Sequence, residues 1–541
     1  MARLAPAWWR SGEPFVWFTA SAVTVSLLAV LALVGLVAVR GLAHFWPHDI
    51  WALEVETPGR GDGTDRLLGE LARSETLPLA RYRSAVGADA GPAPAGPVAE
   101  RVLVRTANRD LASPDFRWVW SHRIVARERP AAVVELERTA WGNALGLLVA
   151  VEEARRPVAG APWEALRLRT DRARGLRARI DELVQRRLAP LNRRIEGLER
   201  RGREGALEAL RAERAALGAT LRELERALDR DRVVLETLEG RRFTVPLRQV
   251  VRAWRPNAMG TVEKLAFYFA ALGDFLSEGP REANTEGGVF PALFGTVLMV
   301  LLMSALVTPF GVLAAVYLSE YAGQGAFTRV IRIAVHNLAG VPSIVYGVFG
   351  LGFFVYVVGG TLDELFFAEK LPAPTFGTPG LLWASMTLAL LTVPVVIVST
   401  EEGLARIPRT LREGSLALGA TRAETLLRVV LPMATPAMLT GVILAIARAA
   451  GEVAPLMLVG VVKLAPELPV DGAFPFVHLE RKFMHLGFHI YDVGFQSPNV
   501  DAARPLVYAT ALLLVVLVVL LNLAAILLRA RLRRRYRSLA E

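Results

Sequence analysis

Residues 413–432, EGSLALGATRAETLLRVVLP, form a polar, amphipathic stretch between two long apolar ones. Thr421 and Glu424 have the spacing of a capping box, in which each side chain satisfies a backbone donor of a starting helix. Gly419 comes just before them, where a glycine commonly ends a helix. We therefore predict a short helix ending at Gly419, a turn, and a second helix that runs from about Arg422 into the next apolar stretch.

The apolar stretches are long enough to cross a membrane. The chain has 541 residues, 53% of them hydrophobic, and its apolar residues form blocks separated by polar segments. A span needs about 20 mainly apolar residues, and the first stretch is too long for the core of a cleaved signal peptide. The sequence predicts an all-α polytopic membrane protein carrying a soluble insertion. Six spans are predicted, at residues 15–39, 289–318, 331–358, 381–399, 432–462 and 505–528.

Charged residues beside the spans predict the orientation of the chain. Arg3 and Arg10 precede the first span and a basic tail at 529–541 follows the last, so the positive-inside rule places both termini in the cytoplasm. In a bacterial inner membrane, residues 40–288 are then periplasmic and the loop at 401–431 is cytoplasmic. The net charge of +11 lies largely beside the spans and in a charge-rich helical region, which argues against nucleic-acid binding. The absence of cysteine excludes thiol chemistry.

The predicted insertion has two kinds of sequence. Residues 84–97 are rich in Ala, Gly and Pro and indicate a linker, while RVLVRTA and FRWVWSHRIVARE alternate as short strands do. From 171 to 239, apolar residues recur at alternating spacings of three and four, interrupted by the glycines of RGREG at 201–205. This predicts an α+β insertion with an antiparallel coiled-coil hairpin, in which Pro190 kinks or ends part of the first arm. The second arm, about 35 residues at 1.5 Å each, reaches roughly 50 Å. The hairpin is either a docking arm for an outside partner or a self-packed filler.

Arg448 and Glu452 are charged residues in the fifth predicted span, with Arg448 near its middle. An arginine inside a membrane needs a partner, and Glu452 lies one helical turn further on. One interpretation places Arg448 on an anion-translocation path, where its guanidinium fork exchanges Glu452 for a phosphate-like anion. The other is a purely structural intramembrane ion pair.

Other candidate residues carry weaker signals. Gly340, Pro342 and Gly347 interrupt the third span and predict a kink or a close helix contact, with ordinary packing the favoured interpretation. His485 and His489 have the spacing of a metal-binding pair, but no third ligand is evident, so no metal site is predicted. No G-x-x-x-x-G-K-[ST] motif occurs, so ATP hydrolysis is not assigned to this chain and we expect neither an enzyme nor a bound cofactor.

The opening stretch resembles a motif of a known family, the permeases of ABC importers. Their cytoplasmic loop reads E-A-A-x-x-x-G-(x)9-I-x-L-P. Gly414 and Ser415 replace the two alanines here, and valine replaces the isoleucine. The other motif positions are occupied by Glu413, Gly419, Val429, Leu431 and Pro432. NTEGGVFPALFGT, NLAGVPSIVYGVFGLGFF, ARAAGEVAPLMLVG and FMHLGFHIYDVGFQSPN further resemble the phosphate-importer permeases of the PstA family, over about residues 284–541. The insertion looks like that of a longer subgroup.

The resemblance implies a function and a set of partners. Residues 289–528 would be the core of a type I ABC importer permease, with its first span within residues 1–39, and the loop at 401–431 would couple it to an ATPase. The implied partners are a second permease resembling PstC, an ATPase dimer resembling PstB that holds ATP and Mg, a periplasmic phosphate-binding protein resembling PstS, and membrane lipid. Two alternatives stay open: a permease for another oxyanion such as sulfate or molybdate, and a membrane-anchored coiled-coil interaction or sensor protein.

Overall fold

The computed structural model describes residues 11–56, 64–86, 96–111, 115–200, 205, 207–323, 325–497 and 500–537. Two compact units make up the chain. The membrane unit comprises Met1–Phe45 and Leu272–Glu541, and the β-sheet unit comprises Trp46–Ala271.

The regular elements are as follows. Helices are α1 Glu13–Ala43, α2 Leu79–Val86, α3 Pro162–Leu183, α4 Ala189–Arg200, α5 Leu207–Leu228, α6 Thr261–Ser277, α7 Phe290–Val316, α8 Ala326–Leu338, α9 Ser343–Phe349, α10 Gly360–Phe366, α11 Leu381–Ala405, α12 Arg409–Ala417, α13 Arg422–Thr425, α14 Leu431–Gly451, α15 Leu456–Val459, α16 Leu486–Tyr491 and α17 Val500–Arg537. Strands are β1 Ile50–Glu56, β2 Thr64–Pro78, β3 Val98–Arg105, β4 Phe116–Trp120, β5 Ile124–Glu128, β6 Val133–Arg138, β7 Ala144–Glu153, β8 Arg156–Pro157, β9 Asp231–Glu236, β10 Arg242–Pro246, β11 Val250–Trp254, β12 Pro280–Arg281 and β13 Glu286–Gly287. π-helical segments at Val184–Leu188, Tyr317–Tyr321, Gly350–Gly359, Leu426–Val430 and Asp492–Gln496 extend several helices.

Within the described residues, six helices are long and apolar enough to cross a membrane, which confirms the predicted number. These six spans are Glu13–Ala43, Phe290–Tyr321, Ser343–Phe366, Leu381–Ala405, Arg422–Gly451 and Ala503–Arg531. The chain is therefore a multi-pass membrane protein with a β-sheet unit between its first and second spans.

Several predicted boundaries of the spans were wrong, and the fifth span also begins earlier than predicted, at Arg422 rather than at 432. The third span begins at Ser343 rather than at 331, because the residues before it form the separate helix α8. The fifth ends at Gly451 rather than at 462, because Pro455 has no N–H with which to continue the helical bonding to Gly451. The last helix, α17, runs on to Arg537 through residues that we predicted as a separate tail.

The core of the membrane unit lies where the second, fourth and fifth spans pack together. Its buried residues include Met299, Met303, Leu388, Val396 and Ala445. Glycines allow the close approach: a Cβ added at Gly311 would lie 2.7 Å from the Val396 side chain, and one at Gly441 would lie 2.8 Å from Ser399 Cβ. Such small-residue contacts are the usual means by which helices associate in a membrane, where the hydrophobic effect between helices is absent.

The β-sheet unit holds two antiparallel sheets, of strand order β4-β3-β2-β1-β5 and β10-β9-β7-β6-β11, with β8 paired to β7. The strands predicted from RVLVRTA and FRWVWSHRIVARE are confirmed as β3, β4 and β5. Helix α3 covers one sheet through Leu166 and Ala173, which pack with Val233 and Leu235 of β9. Most of the predicted linker at 84–97 lies outside the described residues.

The helical part of this unit begins and ends earlier in the chain than predicted. Helices begin at Pro162 rather than at 171, and α5 ends at Leu228. Leu235, which we placed on the heptad stripe, belongs to β9, because Val233 and Leu235 are fully buried in the sheet. The helix continues through Pro190 instead of ending there. The π-helical segment Val184–Leu188 just before it accommodates the backbone hydrogen bond that proline cannot donate. The predicted break at RGREG lies almost entirely outside the described residues.

Leucine and isoleucine side chains of α4 and α5 pack against each other. Their shared cluster contains Leu191, Ile195, Leu207 and Leu217. Outside the cluster, Arg211 Nη2 lies 2.7 Å from Glu199 Oε1 and links the same two helices.

Candidate functional site

The segment between the fourth and fifth spans folds as predicted from its sequence. Helix α12 ends at Ala417, and Gly419 has a φ of +88°, the left-handed conformation that glycine adopts without strain. The capping box is present: Thr421 Oγ1 accepts a hydrogen bond from Glu424 N at 3.2 Å, and Glu424 Oε2 accepts one from Thr421 N at 2.9 Å. We call residues 409–425, which include the first turn of the fifth span, the helix pair.

The helix pair is bound to the ends of the neighbouring spans. Arg412 Nη2 donates to Leu404 O at 2.9 Å and lies 2.8 Å from Glu320 Oε1, so it joins α12 to the ends of the fourth and second spans. Ser415 Oγ and Thr425 Oγ1 are 2.9 Å apart and hold α12 against α13. From α13 the helix continues through Leu426–Val430 into α14, so any displacement of the helix pair is transmitted directly to the fifth span.

The outward surface of the helix pair is apolar at several positions, which sequence reasoning missed. Leu418 is 91% exposed, and Leu411 and Leu416 also face outward. Exposed leucines on an otherwise polar helix pair are typical of a surface that contacts another protein. The recurrence of leucines within this polar segment was the sequence feature that could have predicted the exposed apolar surface.

The five motif residues fall into two groups. Glu413 and Gly419 lie on the exposed helix pair. Val429, Leu431 and Pro432 are half-buried where the helix enters the fifth span, and they adjoin a small core that contains Val430 and Ala434. The first group is thus accessible to a partner, and the second connects the helix pair to the membrane core.

Arg448 and Glu452 are close together, but at a different depth from the one predicted. Arg448 lies in the last turn of α14 rather than mid-span, and Glu452 is the first residue beyond the helix, in an extended conformation. Arg448 Nε lies 3.4 Å from Glu452 Oε1, and both side chains are partly exposed. The pair is therefore at the end of the fifth span farther from the helix pair.

The third span approaches this pair through a glycine. A Cβ added at Gly347 would lie 2.7 Å from Pro455 Cα, three residues after Glu452. Gly347 thus makes a close backbone contact, while Gly340 and Pro342 lie in the break between α8 and α9. The neighbour of Gly347 is an irregular turn rather than a helix.

His485, which directly precedes α16, and His489, which lies in α16, are both buried. His485 Nδ1 accepts a hydrogen bond from Gly487 N at 3.1 Å and caps the helix. Burial lowers the pKa of each to about 4, so both imidazoles are neutral at physiological pH. Across the described part of the chain, no group of three His, Cys, Asp or Glu side chains is arranged to hold a metal.

Comparison with known proteins assigns the class. Residues 307–538 match the model of the family described as "Binding-protein-dependent transport system inner membrane component". The probable ABC transporter permease protein YqgI of Bacillus subtilis (strain 168) is 30% identical over 233 residues, which cover 42% of this chain and 73% of that protein. The chain belongs to this family of transport permeases.

Among the relatives is a protein named for its substrate. The phosphate transport system permease protein PstA of Mycobacterium leprae (strain TN) is 38% identical over 206 residues, 37% of this chain and 62% of that protein. The chain thus spans somewhat less than two thirds of that relative's length. In a solved structure, the methionine ABC transporter MetNI in inward-facing conformations, one chain aligns at a TM-score of 0.33 with 20% identity, covering 44% of this chain and 94% of that one.

Proposed function

We propose that this protein is the transmembrane permease subunit of an ATP-driven importer of inorganic phosphate, and that the helix pair couples it to a separate ATPase. The observation that carries the proposal is the exposed, capped helix pair between the fourth and fifth spans, with Glu413 and Leu418 on its surface. Membership of the transport-permease family supports the same function.

Transmission from the ATPase to the membrane follows the chain. Arg412 attaches α12 to Glu320 and Leu404, and α13 is continuous with α14. Helix α14 has 21 residues, about 30 Å at 1.5 Å each, and carries Arg448 in its last turn. A movement of the ATPase at one end of this helix therefore displaces the Arg448–Glu452 pair at the other end.

The Arg448–Glu452 pair supplies the chemistry for an anion. The guanidinium fork presents paired N–H donors that match phosphate oxygens and stays charged at any working pH. Because the pair is partly exposed, its attraction is weak, and an entering anion competes with Glu452 for the fork. The name of the Mycobacterium leprae relative supports phosphate as that anion.

The proposal includes the orientation and the partners. Both termini and the helix pair face the cytoplasm, and residues 40–288 are periplasmic, in agreement with the basic residues beside the first and last spans. The partners are a second permease, an ATPase dimer that binds ATP and Mg, and a periplasmic binding protein. The packed stripes of α4 and α5 form an antiparallel coiled-coil hairpin.

The test is uptake of radiolabelled phosphate and sulfate by cells without their own high-affinity importers, supplied with this chain and its partner subunits. We expect phosphate-selective uptake that Glu413→Lys abolishes. Glu369→Lys, which reverses an exposed carboxylate between the third and fourth spans and outside the coupling loop, should retain uptake. Sulfate-selective uptake would show that sulfate rather than phosphate is the substrate. If the complex assembles but takes up neither anion, the transport proposal is refuted.

Arg448→Lys tests the substrate path separately. Lysine keeps the charge but loses the planar fork, so phosphate uptake should fall about tenfold or more while the complex assembles normally. Arg329→Lys makes the same change at an exposed arginine of α8, outside the coupling loop, and should leave uptake unchanged. Undiminished uptake by Arg448→Lys would assign the pair a structural role only.

A further inference from the structure

The loop between α15 and α16 ends in a tightly ordered turn. Val470 and Val477 form an antiparallel bridge, and Phe476 N donates to Ala473 O at 2.6 Å. His478 N donates to Pro469 O at 2.7 Å and closes the base. We call residues 469–478 the aromatic tip. Nothing in the motif analysis or in the proposed transport path uses it.

A charged hub fixes the aromatic tip. Asp471 accepts hydrogen bonds from Ala473 N at 2.7 Å and Arg481 Nη2 at 2.8 Å, and its Oδ1 lies 3.0 Å from His478 Nε2. Arg481 Nη1 also donates to Leu468 O at 2.7 Å. Burial of Asp471 acts in the opposite direction, yet these bonds together hold the pKa of this carboxyl below its ordinary value. The turn is therefore rigid before any partner arrives.

This rigid turn presents aromatic rings to solvent. Phe474 is 86% exposed and Phe476 is 55% exposed, and their centroids are 6.1 Å apart at an interplanar angle of 83°. Phe476 has a φ of +69°, a conformation that strains a bulky residue. The strained backbone and the charged hub together keep two apolar rings exposed to solvent. This arrangement does not stabilise the isolated chain, so we expect it to serve an interaction with a partner.

The aromatic tip lies at the opposite end of the fourth span from the helix pair. Leu381 N donates to Arg481 O and Leu382 N to Leu479 O, both at 2.9 Å, so the loop is joined to the start of α11. The helix pair follows the end of α11, 25 residues later, which is about 37 Å along the helix. Under the proposed orientation the aromatic tip faces the periplasm.

We infer that Phe474 and Phe476 are an anchor for the soluble binding protein on which this family of permeases depends, inserted into an apolar pocket on that protein's surface. The inference rests on the proposed function. Pre-organised aromatic side chains are the usual energetic centre of a protein–protein interface, because their ordering entropy is lost before binding.

The same observations disfavour a lipid surface as the partner. A fluid bilayer accepts apolar side chains in many orientations and does not require a fixed turn.

The experiment measures ATPase stimulation of the complete complex in nanodiscs as purified binding protein is added. The double variant Phe474→Ser with Phe476→Ser should raise the half-maximal binding-protein concentration by about tenfold or more. Leu464→Ser removes a half-exposed leucine from the same loop without touching the aromatic tip, and should leave that concentration unchanged.

A crosslink locates the contact directly. The chain contains no cysteine, so Val477→Cys carries a photoactivatable maleimide at one site of this subunit. An adduct between the chain and the binding protein, lost in the double variant, supports the inference, whereas crosslinking to lipid without binding protein overturns it. If the unsubstituted complex is stimulated and the double variant has the same half-maximal concentration, the inference fails; if even the unsubstituted complex is never stimulated, the proposed function itself fails.

Discussion

Glu135 of β6 makes the stability of the β-sheet unit depend on pH. Its side chain is buried, and Asn143 Nδ2 donates to its Oε1 at 2.7 Å. Burial raises the pKa of Glu135 to about 7, with Arg105 opposing the shift and Glu70 adding to it. Glutamine has nearly the same shape and keeps the acceptor for Asn143. Glu135→Gln therefore removes the ionisation while preserving the packing.

The magnitude follows from the shift. The pKa of Glu135 rises from 4.5 to about 7 on folding. At 1.36 kcal/mol for each pH unit, the β-sheet unit therefore loses about 3 kcal/mol of stability as the pH rises between those two values. Below pH 4.5 the carboxyl is protonated in both the folded and the unfolded state, so no stability is lost. Above about pH 7 it is ionised in both states, and the loss of stability is complete. Glu135→Gln should thus stabilise the unit by about 3 kcal/mol at pH 8 and by close to nothing at pH 4.5.

Hydrogen exchange of the full chain in detergent measures this effect. After correction for intrinsic exchange rates, the most protected amides of β6 should gain about a hundredfold protection at pH 8 in Glu135→Gln, and little at pH 5. Glu128→Gln, at an exposed carboxylate on β5, should change protection at neither pH. Equal protection of the variant and the unsubstituted chain at pH 8 would refute the assignment of Glu135 as a buried carboxyl that must ionise.

Two further predictions concern the helix pair and the approach to the substrate path. Thr421→Ala removes the side chain that caps Glu424 N and should destabilise the second helix by about 1 kcal/mol. The amount of phosphate imported per ATP hydrolysed should fall in this variant, and Thr421→Ser should restore it. An unchanged ratio in the alanine variant would show that the cap is not needed for coupling. Gly347→Ala places a Cβ against Pro455 Cα and should destabilise the membrane unit by about 1–3 kcal/mol in thermal unfolding, whereas Gly352→Ala, with open space around its Cβ, should be neutral; equal melting temperatures would argue against the close contact.

Local sequence was sufficient for the helix pair and for the number of spans. The capping box uses Thr421 and Glu424, which are one helical turn apart, and the turn at Gly419 depends on the φ of a single residue. A span is recognised from about 20 consecutive apolar residues. In each case the deciding interactions join residues close in the chain, so the pattern alone predicts them.

Features that depend on distant residues escaped prediction. The predicted heptad stripe continued through Leu235 to Leu238, but pairing of β9 with β7, from a different part of the chain, made Leu235 part of a sheet. The hub of the aromatic tip was also missed, because His478 and Arg481 contact Asp471 only after the loop has folded back.

The sequence by itself determined the six spans, the capped helix pair and the presence of a charged pair at Arg448 and Glu452, since composition and short-range spacing specify each of these. Only the tertiary structure decided that Arg448 lies at the end of its helix, that Leu418 faces outward and that Phe474 is displayed on a rigid turn. Exposure and depth depend on which segments pack around a residue, and those contacts join parts of the chain whose separation no local pattern encodes.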